Sequence, residues 1–205
     1  MKQYPSISKE IQKGLSIYAF EKIDGSSIRS EWSPKQKFYK FGSRTRLLGE
    51  DQPFINEAKE LFINKYENYL DEVLSKNRWE RVVIFSEFFG PNSFAGTHQE
   101  EKHDIVIFDV NIYKKGFLPP KDFINYFGHL DVAKLLYHGP CDHEFVESVK
   151  GSTLDGMGFE GVVAKAKNPN NKIGLPIMFK IKSNAWLEKL KNYCGNDINK
   201  FNQLL

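Results

Sequence analysis

The chain has 205 residues, of which 27% are charged and 14% aromatic, with 17 Phe. That length and apolar content exclude a disordered chain and give one domain with a substantial core. A net charge of +3 is mildly basic, without the clustered Lys and Arg of a long nucleic-acid groove. No apolar run approaches the roughly 18 residues of a membrane span, and residues 1–14 lack the apolar stretch of a secretory signal. A soluble, cytoplasmic protein is expected. Its two cysteines, Cys141 and Cys194, are expected to be free thiols in a reducing compartment.

Residues 15–20 and 27–32 alternate apolar and polar side chains around Asp24-Gly25 and predict two strands, with Lys22 at a strand end or tight connection. Residues 34–36 turn into a strand over 37–42. Lys35, Lys37, Lys40, Arg44 and Arg46 form the densest basic group, interleaved with Trp32, Phe38, Tyr39 and Phe41. Such a surface suits phosphates and bases, or equally a solvated hairpin with alternating core residues.

Apolar residues at helical spacing from Phe54 to Leu74 predict one long helix or two shorter ones over 53–76, with Pro53 in the first turn. Segments 81–88 and 104–112 are dense in Val, Ile and Phe, as buried strands are. Short helices are expected over 120–127 and 131–137. Gly139-Pro140 marks a turn, so His138, Cys141 and His143 read as a surface loop whose spacing matches no common zinc pattern. Strands follow over 160–166 and 176–182 around a turn at Asn168-Pro169-Asn170-Asn171. The tail 184–205 is helical, interrupted at Cys194-Gly195-Asn196. This order gives an α+β fold in which two antiparallel β-sheets form a nucleotide cleft flanked by helices.

Six short segments run through these elements: Glu21-Lys22-Ile23-Asp24-Gly25-Ser26-Ser27, Ser43-Arg44-Thr45-Arg46, Phe85-Ser86-Glu87-Phe88-Phe89-Gly90, Ile105-Val106-Ile107-Phe108-Asp109-Val110, Glu160-Gly161-Val162-Val163-Ala164-Lys165 and Phe179-Lys180-Ile181-Lys182. In that order they resemble the motifs of the covalent nucleotidyltransferases, the superfamily of ATP-dependent RNA ligases, DNA ligases and mRNA capping enzymes. The opening motif and Ser-Arg-Thr-Arg look most like RNA ligases. The resemblance covers about residues 18–183 and implies the same two-sheet, ATP-grasp-like adenylylation domain. Only 23 residues follow Lys182, too few for the OB domain of DNA ligases and capping enzymes. A single nucleotidyltransferase domain over 1–205 without an OB fold is expected.

Chemistry can be read on these residues. A free lysine has a pKa near 10.4, so only about 1 in 2,500 is a nucleophile at pH 7. Lys180 and Lys182, two apart on one strand face, could converge on one phosphate and depress the pKa of Lys22. Glu160 is a hard oxygen ligand suited to Mg²⁺, with Mn²⁺ an alternative. Glu87 is a charge in an otherwise apolar strand and needs a partner or ligand. Gly161 leaves backbone room, and Val162 and Val163 face core and cleft in turn.

The resemblance implies further roles. Lys22 would form lysyl-AMP from ATP. Glu87 would accept a hydrogen bond from the ribose, and Phe108 would stack on the purine. Arg44, or Arg46 in its place, would bind phosphate or ribose, and Glu21 would read the adenine amino group. The implied activity is ATP-dependent RNA ligation: AMP moves from Lys22 to a 5′-phosphate, and a 3′-hydroxyl then displaces it to seal the strand. RNA ends, or DNA ends for a minimal DNA ligase, would be the partners. A non-catalytic nucleic-acid-binding module of the same fold is the other reading, disfavoured because it has no chemical need for Lys22, Glu160, Lys180 and Lys182.

Overall fold

The computed structural model describes residues 1–47, 53–91, 93–94, 100–170 and 176–205. Nine strands form two antiparallel sheets among these residues. The first sheet has order β7-β1-β8-β9, from Leu135–Pro140, Ser16–Glu21, Gly161–Asn170 and Pro176–Lys182. The second has order β3-β2-β4-β5-β6, from Lys37–Ser43, Ser26–Ser33, Val82–Phe89, Asp104–Ile112 and Gly116–Phe117. The helices are α1 (Pro53–Lys76), α2 (Pro120–Phe127), α3 (His143–Lys150), α4 (Asn184–Cys194) and α5 (Ile198–Leu204). The α+β fold with two antiparallel sheets is the one expected, and 53–76 is one helix.

Helix α1 covers the second sheet through Ala58, Phe62, Tyr66, Leu70 and Leu74, four residues apart and all buried. That spacing drifts slowly around a 3.6-residue helix and so makes one continuous stripe. Phe62 meets Phe38 and Phe41 of β3 edge-on, at 5.1 and 6.0 Å between centroids. Phe62→Ala should cost about 3–5 kcal/mol, read as a lowered midpoint in urea at unchanged slope. A loss under about 1 kcal/mol would show that the stripe does not carry the packing.

Strand β1 is buried on both faces. Tyr18 and Phe20 join the core beneath α1 and α2, whereas Ile17 and Ala19 join a second core with Phe145, Val146 and Val149 of α3. The polar residues of β2 also depart from a simple in-and-out pattern, because Arg29, Ser30 and Glu31 are all buried. Arg29 donates to the carbonyls of Ser43 (2.7 Å), Lys2 (3.1 Å) and Arg46 (3.3 Å), and Glu31 accepts from the Tyr39 hydroxyl. Buried charge is tolerated here because it is hydrogen-bonded.

Three local expectations are corrected. Residues 131–137 do not form a helix, since Leu135–Pro140 is strand β7, paired with β1 from Ser16↔Pro140 to Phe20↔Leu135. Short apolar runs do not distinguish strand from helix, and the open edge of β1 decides. Gly139-Pro140 lies inside that strand, where a proline is accommodated because β7 is an edge. His138 is therefore on a strand, Cys141 is buried in the second core, and His143 opens α3 behind the N-cap Asp142. Asn168, Pro169 and Asn170 continue β8, with Asn170 opposite Pro176; Asn171, which completes the expected turn, lies outside the described residues. Cys141 and Cys194 are both free and buried.

Candidate active site

The two sheets close on a cavity of about 620 Å³, within the range of small-molecule sites. All eight residues singled out from the sequence line it. Lys22 follows β1, anchored by its backbone N–H to Gly161 O at 2.9 Å. Two glycines allow the close approach. A Cβ on Gly25 would stand 2.3 Å from Phe88 O, and one on Gly161, at φ +128°, would stand 2.1 Å from Ile181 O. Any side chain there would push β2 from β4, or β8 from β9.

Glu160 is the hub of the ionic cluster. It is 4% exposed, and it takes the Lys22 ammonium at 3.0 Å and the Lys182 ammonium on its other oxygen. Lys182 also lies over the Trp186 ring at 3.3 Å from its centroid. Lys180 shares that strand face and line of approach but donates to Leu205 O at 2.6 Å. Val162 is in the core and Val163 lines the cavity, as their alternation predicts.

The charge distribution differs from expectation. Burial lowers the pKa of Lys22, but Glu160 foremost, then Glu87 and Asp24, raise it, and the balance lies above the usual lysine value. Lys180 and Lys182 are the depressed pair, each to about 8, first by burial and then by neighbouring cations that include Lys22. Glu160, 3.0 Å from Lys22, is the largest influence raising its pKa, whereas on Lys182 the same carboxylate is outweighed by burial and neighbouring cations.

Glu87 enters the cavity from β4, and its pKa is pushed up to about 8 by burial, with Glu160 and Asp24 adding to the rise and Lys22 and Arg44 opposing it. Between pH 4.5 and 8 the folded protein holds a proton on Glu87 that the unfolded chain has lost, so this group makes stability fall as pH rises. Glu87→Gln should remove that slope, leaving a variant less pH-sensitive than the parent in melts between pH 5 and 8. Parallel curves would show that Glu87 ionises normally.

Phe108 reaches the cavity because β5 bulges at it. Asp109 opposes Phe85 and Ile107 opposes Ser86, leaving Phe108 as the extra residue. Such a bulge re-aims a side chain. Its ring meets Tyr4 edge-on at 5.0 Å. Of the two candidate arginines, Arg44 lines the cavity and Arg46 is not among its lining residues. Arg46 O instead accepts from Arg29, which fixes the chain beside Arg44. Glu21 lines the same cavity, its carboxylate oxygen 2.5 Å from where a Cβ on Gly158 would stand.

Sequence reasoning did not select Lys165, Asp109 or Tyr4. Lys165 is buried on β8 and donates to Phe108 O at 2.8 Å and to Asp109 at 2.9 Å, while the Tyr4 hydroxyl donates to the same carboxylate at 2.8 Å. A signal existed. Lys165 and Asp109 are opposite charges set among apolar neighbours in two strands, and buried charges of that kind need a partner. Tyr4 had none, since it is remote in sequence from every motif.

A divalent metal fits this site only with help. Among the described residues no group of three His, Cys, Asp or Glu could hold an ion alone. Glu160 and Glu87 are two carboxylates of one cavity, the second with its pKa pushed up to about 8 chiefly by burial. Magnesium characteristically takes one or two carboxylates and completes its shell with phosphates and water.

Two antiparallel sheets closing on a lysine, a carboxylate hub and a Lys-x-Lys strand define a covalent nucleotidyltransferase domain. The chain belongs to the RNA ligase family, whose profile matches residues 15–182. No curated protein sequence matches it. Among solved structures it is similar to Naegleria gruberi RNA ligase. An arginine-to-alanine mutant with ATP and Mn has TM-score 0.69 at 19% identity, with 94% of this chain and 59% of that one covered. A lysine-to-alanine mutant with ATP and Mn gives 0.63 at 19%, covering 86% and 52%. The same ligase with PPi gives 0.64 at 21%, covering 88% and 53%. At these identities the likeness establishes a shared fold, and the chain spans a little over half the length of those structures. Among the described residues no helix is long and apolar enough to cross a membrane.

Proposed function

We propose that the chain is an ATP-dependent RNA ligase that works through a lysyl-AMP on Lys22. The observation that carries the reading is the joint hold of Lys22 and Lys182 on Glu160, in a cavity that also receives Phe108. Family membership and a fold shared with a ligase bound to ATP and Mn support it.

In this reading Phe108 takes the adenine face and Glu87 and Arg44 the ribose and phosphates, with Glu21 at the base edge. Lys180 and Lys182 bind the α-phosphate. Lys22 Nζ gives up a proton and attacks the α-phosphorus; the N–P bond forms as the bond to pyrophosphate breaks. Glu160, which holds the Lys22 proton at 3.0 Å, is the group on which deprotonation depends. Magnesium or manganese, held by Glu160, would neutralise that carboxylate and the departing charge. AMP then passes to an RNA 5′-phosphate, and a 3′-hydroxyl displaces it. A single domain over 1–205 is proposed to carry the adenylylation.

Incubation with α-labelled ATP and magnesium tests the reading. One covalent AMP per chain is expected, with GTP labelling far less. No adduct would overturn it, and efficient GTP labelling would transfer the chain to capping chemistry. Comparing nicked and single-stranded RNA and DNA ends then separates RNA from DNA ligation.

A further inference from the structure

The rim of the cavity is built by α4 and α5, and the adenylylation chemistry assigned above uses little of it. Tyr193 on α4 lines the cavity and is 57% exposed, so its ring is open to a ligand entering there. Phe94 supports its edge at 5.1 Å, and Lys200 of α5 lies 3.9 Å from its centroid. Leu204 beside it is 48% exposed. Lys9 reaches the same rim and donates to Asn202 O at 3.3 Å. Lys200 therefore lies against an exposed ring, with Lys9 on the same rim, at the mouth of a cavity whose lining includes Lys22, Lys180 and Lys182. A supported aromatic beside cations is an arrangement that stacks a base and holds its phosphate.

We propose that this α4–α5 rim, with Tyr193 as stacking platform and Lys9 and Lys200 as phosphate contacts, is the seat of the single-stranded RNA end that carries the 5′-phosphate. The inference rests on the ligase reading and names where its second substrate enters. In-line displacement requires the incoming phosphate oxygen to approach the α-phosphorus opposite Lys22 Nζ. That oxygen forms the new P–O bond of a pyrophosphate linkage. The P–N bond to Lys22 breaks, its electron pair returns to Nζ, and a proton from water restores the amine. A strand end held at the rim delivers its phosphate to that position, and charge complementarity favours RNA over an apolar protein segment.

Two rates measured on the same protein test the proposal: labelling of Lys22 by α-labelled ATP, and single-turnover transfer of the label to a 5′-phosphorylated RNA of about twelve nucleotides. Tyr193→Ala should lower the ratio of transfer to labelling by about tenfold or more, and Tyr193→Phe, which keeps the ring, should restore it. Lys200→Ala should leave labelling unchanged, weaken transfer, and reduce the slope of log affinity against log salt by about one. Transfer equal to the parent in both variants would overturn the proposal. So would a fall of both rates together, which would assign the rim to ATP. Should the parent take no label, the ligase reading fails separately. Fluorescence anisotropy with the same RNA then decides the surface, and equal affinity of parent, Tyr193→Ala and Lys200→Ala would overturn it. Melting curves identify a misfolded Tyr193→Ala, in which case Tyr193→Phe against Tyr193→Leu replaces it.

Discussion

Lys22→Ala will leave no protein–AMP adduct after incubation with α-labelled ATP and magnesium, and Lys22→Arg will behave the same way. The other cavity-lining amines are engaged elsewhere. Lys9 is held by Asn202 O, Lys165 by Phe108 O and Asp109, Lys180 by Leu205 O, and Lys182 by Glu160 over Trp186. None can take over the attack without abandoning those partners. Arginine keeps the charge beside Glu160 but stays protonated and has no lone pair to offer. Folding should change by only about 1 kcal/mol, because Lys22 is partly exposed and Glu160 keeps Lys182. Labelling followed by peptide mapping is the measurement. An adduct of parental yield in Lys22→Ala would end the covalent mechanism.

The second large effect concerns the two partners of that lysine, which should act in opposite directions on pH. Lys182→Ala removes a cation proposed to hold the α-phosphate and should slow adenylylation by about 10²–10³. It should also move the rising limb of the rate to higher pH, since one fewer positive charge opposes the Lys22 proton. Glu160→Gln should slow the reaction as well, through loss of the carboxylate that would hold metal. Its rising limb should move to lower pH, because Glu160 is the largest influence raising the Lys22 pKa. Stability separates the sites too. Lys182 is nearly buried between Glu160 and Trp186, so its removal should cost about 1–3 kcal/mol, whereas Lys180→Ala should be almost neutral. Shifts of the same sign in Lys182→Ala and Glu160→Gln would refute the electrostatic account.

Most of this architecture could be read from the chain because strands and long helices leave periodic traces. Helix α1 announced itself through Phe54, Ala58, Leu61, Phe62, Tyr69, Val73 and Leu74, and β4 and β5 through dense Val, Ile and Phe. Strand β7 did not, because Leu135, Leu136 and Tyr137 fit a helix turn as well as an edge, and only β1 could choose between them. The site residues were legible as an ordered set, yet their electrostatic hierarchy was not. Sequence places Lys180 and Lys182 on one face but does not say that Glu160 lies between Lys182 and Lys22, nor that burial depresses Lys180 and Lys182 while carboxylates raise Lys22. Arg29 shows the same limit. It reads as a polar residue of a strand, whereas its guanidinium is spent on distant carbonyls that only tertiary structure supplies.

The segment ahead of β1 binds to both sheets at once. Ser8 bridges Phe179 and accepts the Lys180 amide at 2.9 Å, while Tyr4 packs on Phe85 and Phe117 across the cavity and its hydroxyl touches both Asp109 and Met178. It thus ties the two sheets together beside the cavity, and its release should let the walls part. The Lys180 amide becomes a built-in reporter of that breathing. Its hydrogen–deuterium exchange should quicken when that tie is released, and a bulky fusion partner placed directly ahead of Tyr4 would be felt inside the cavity before it was felt by the fold.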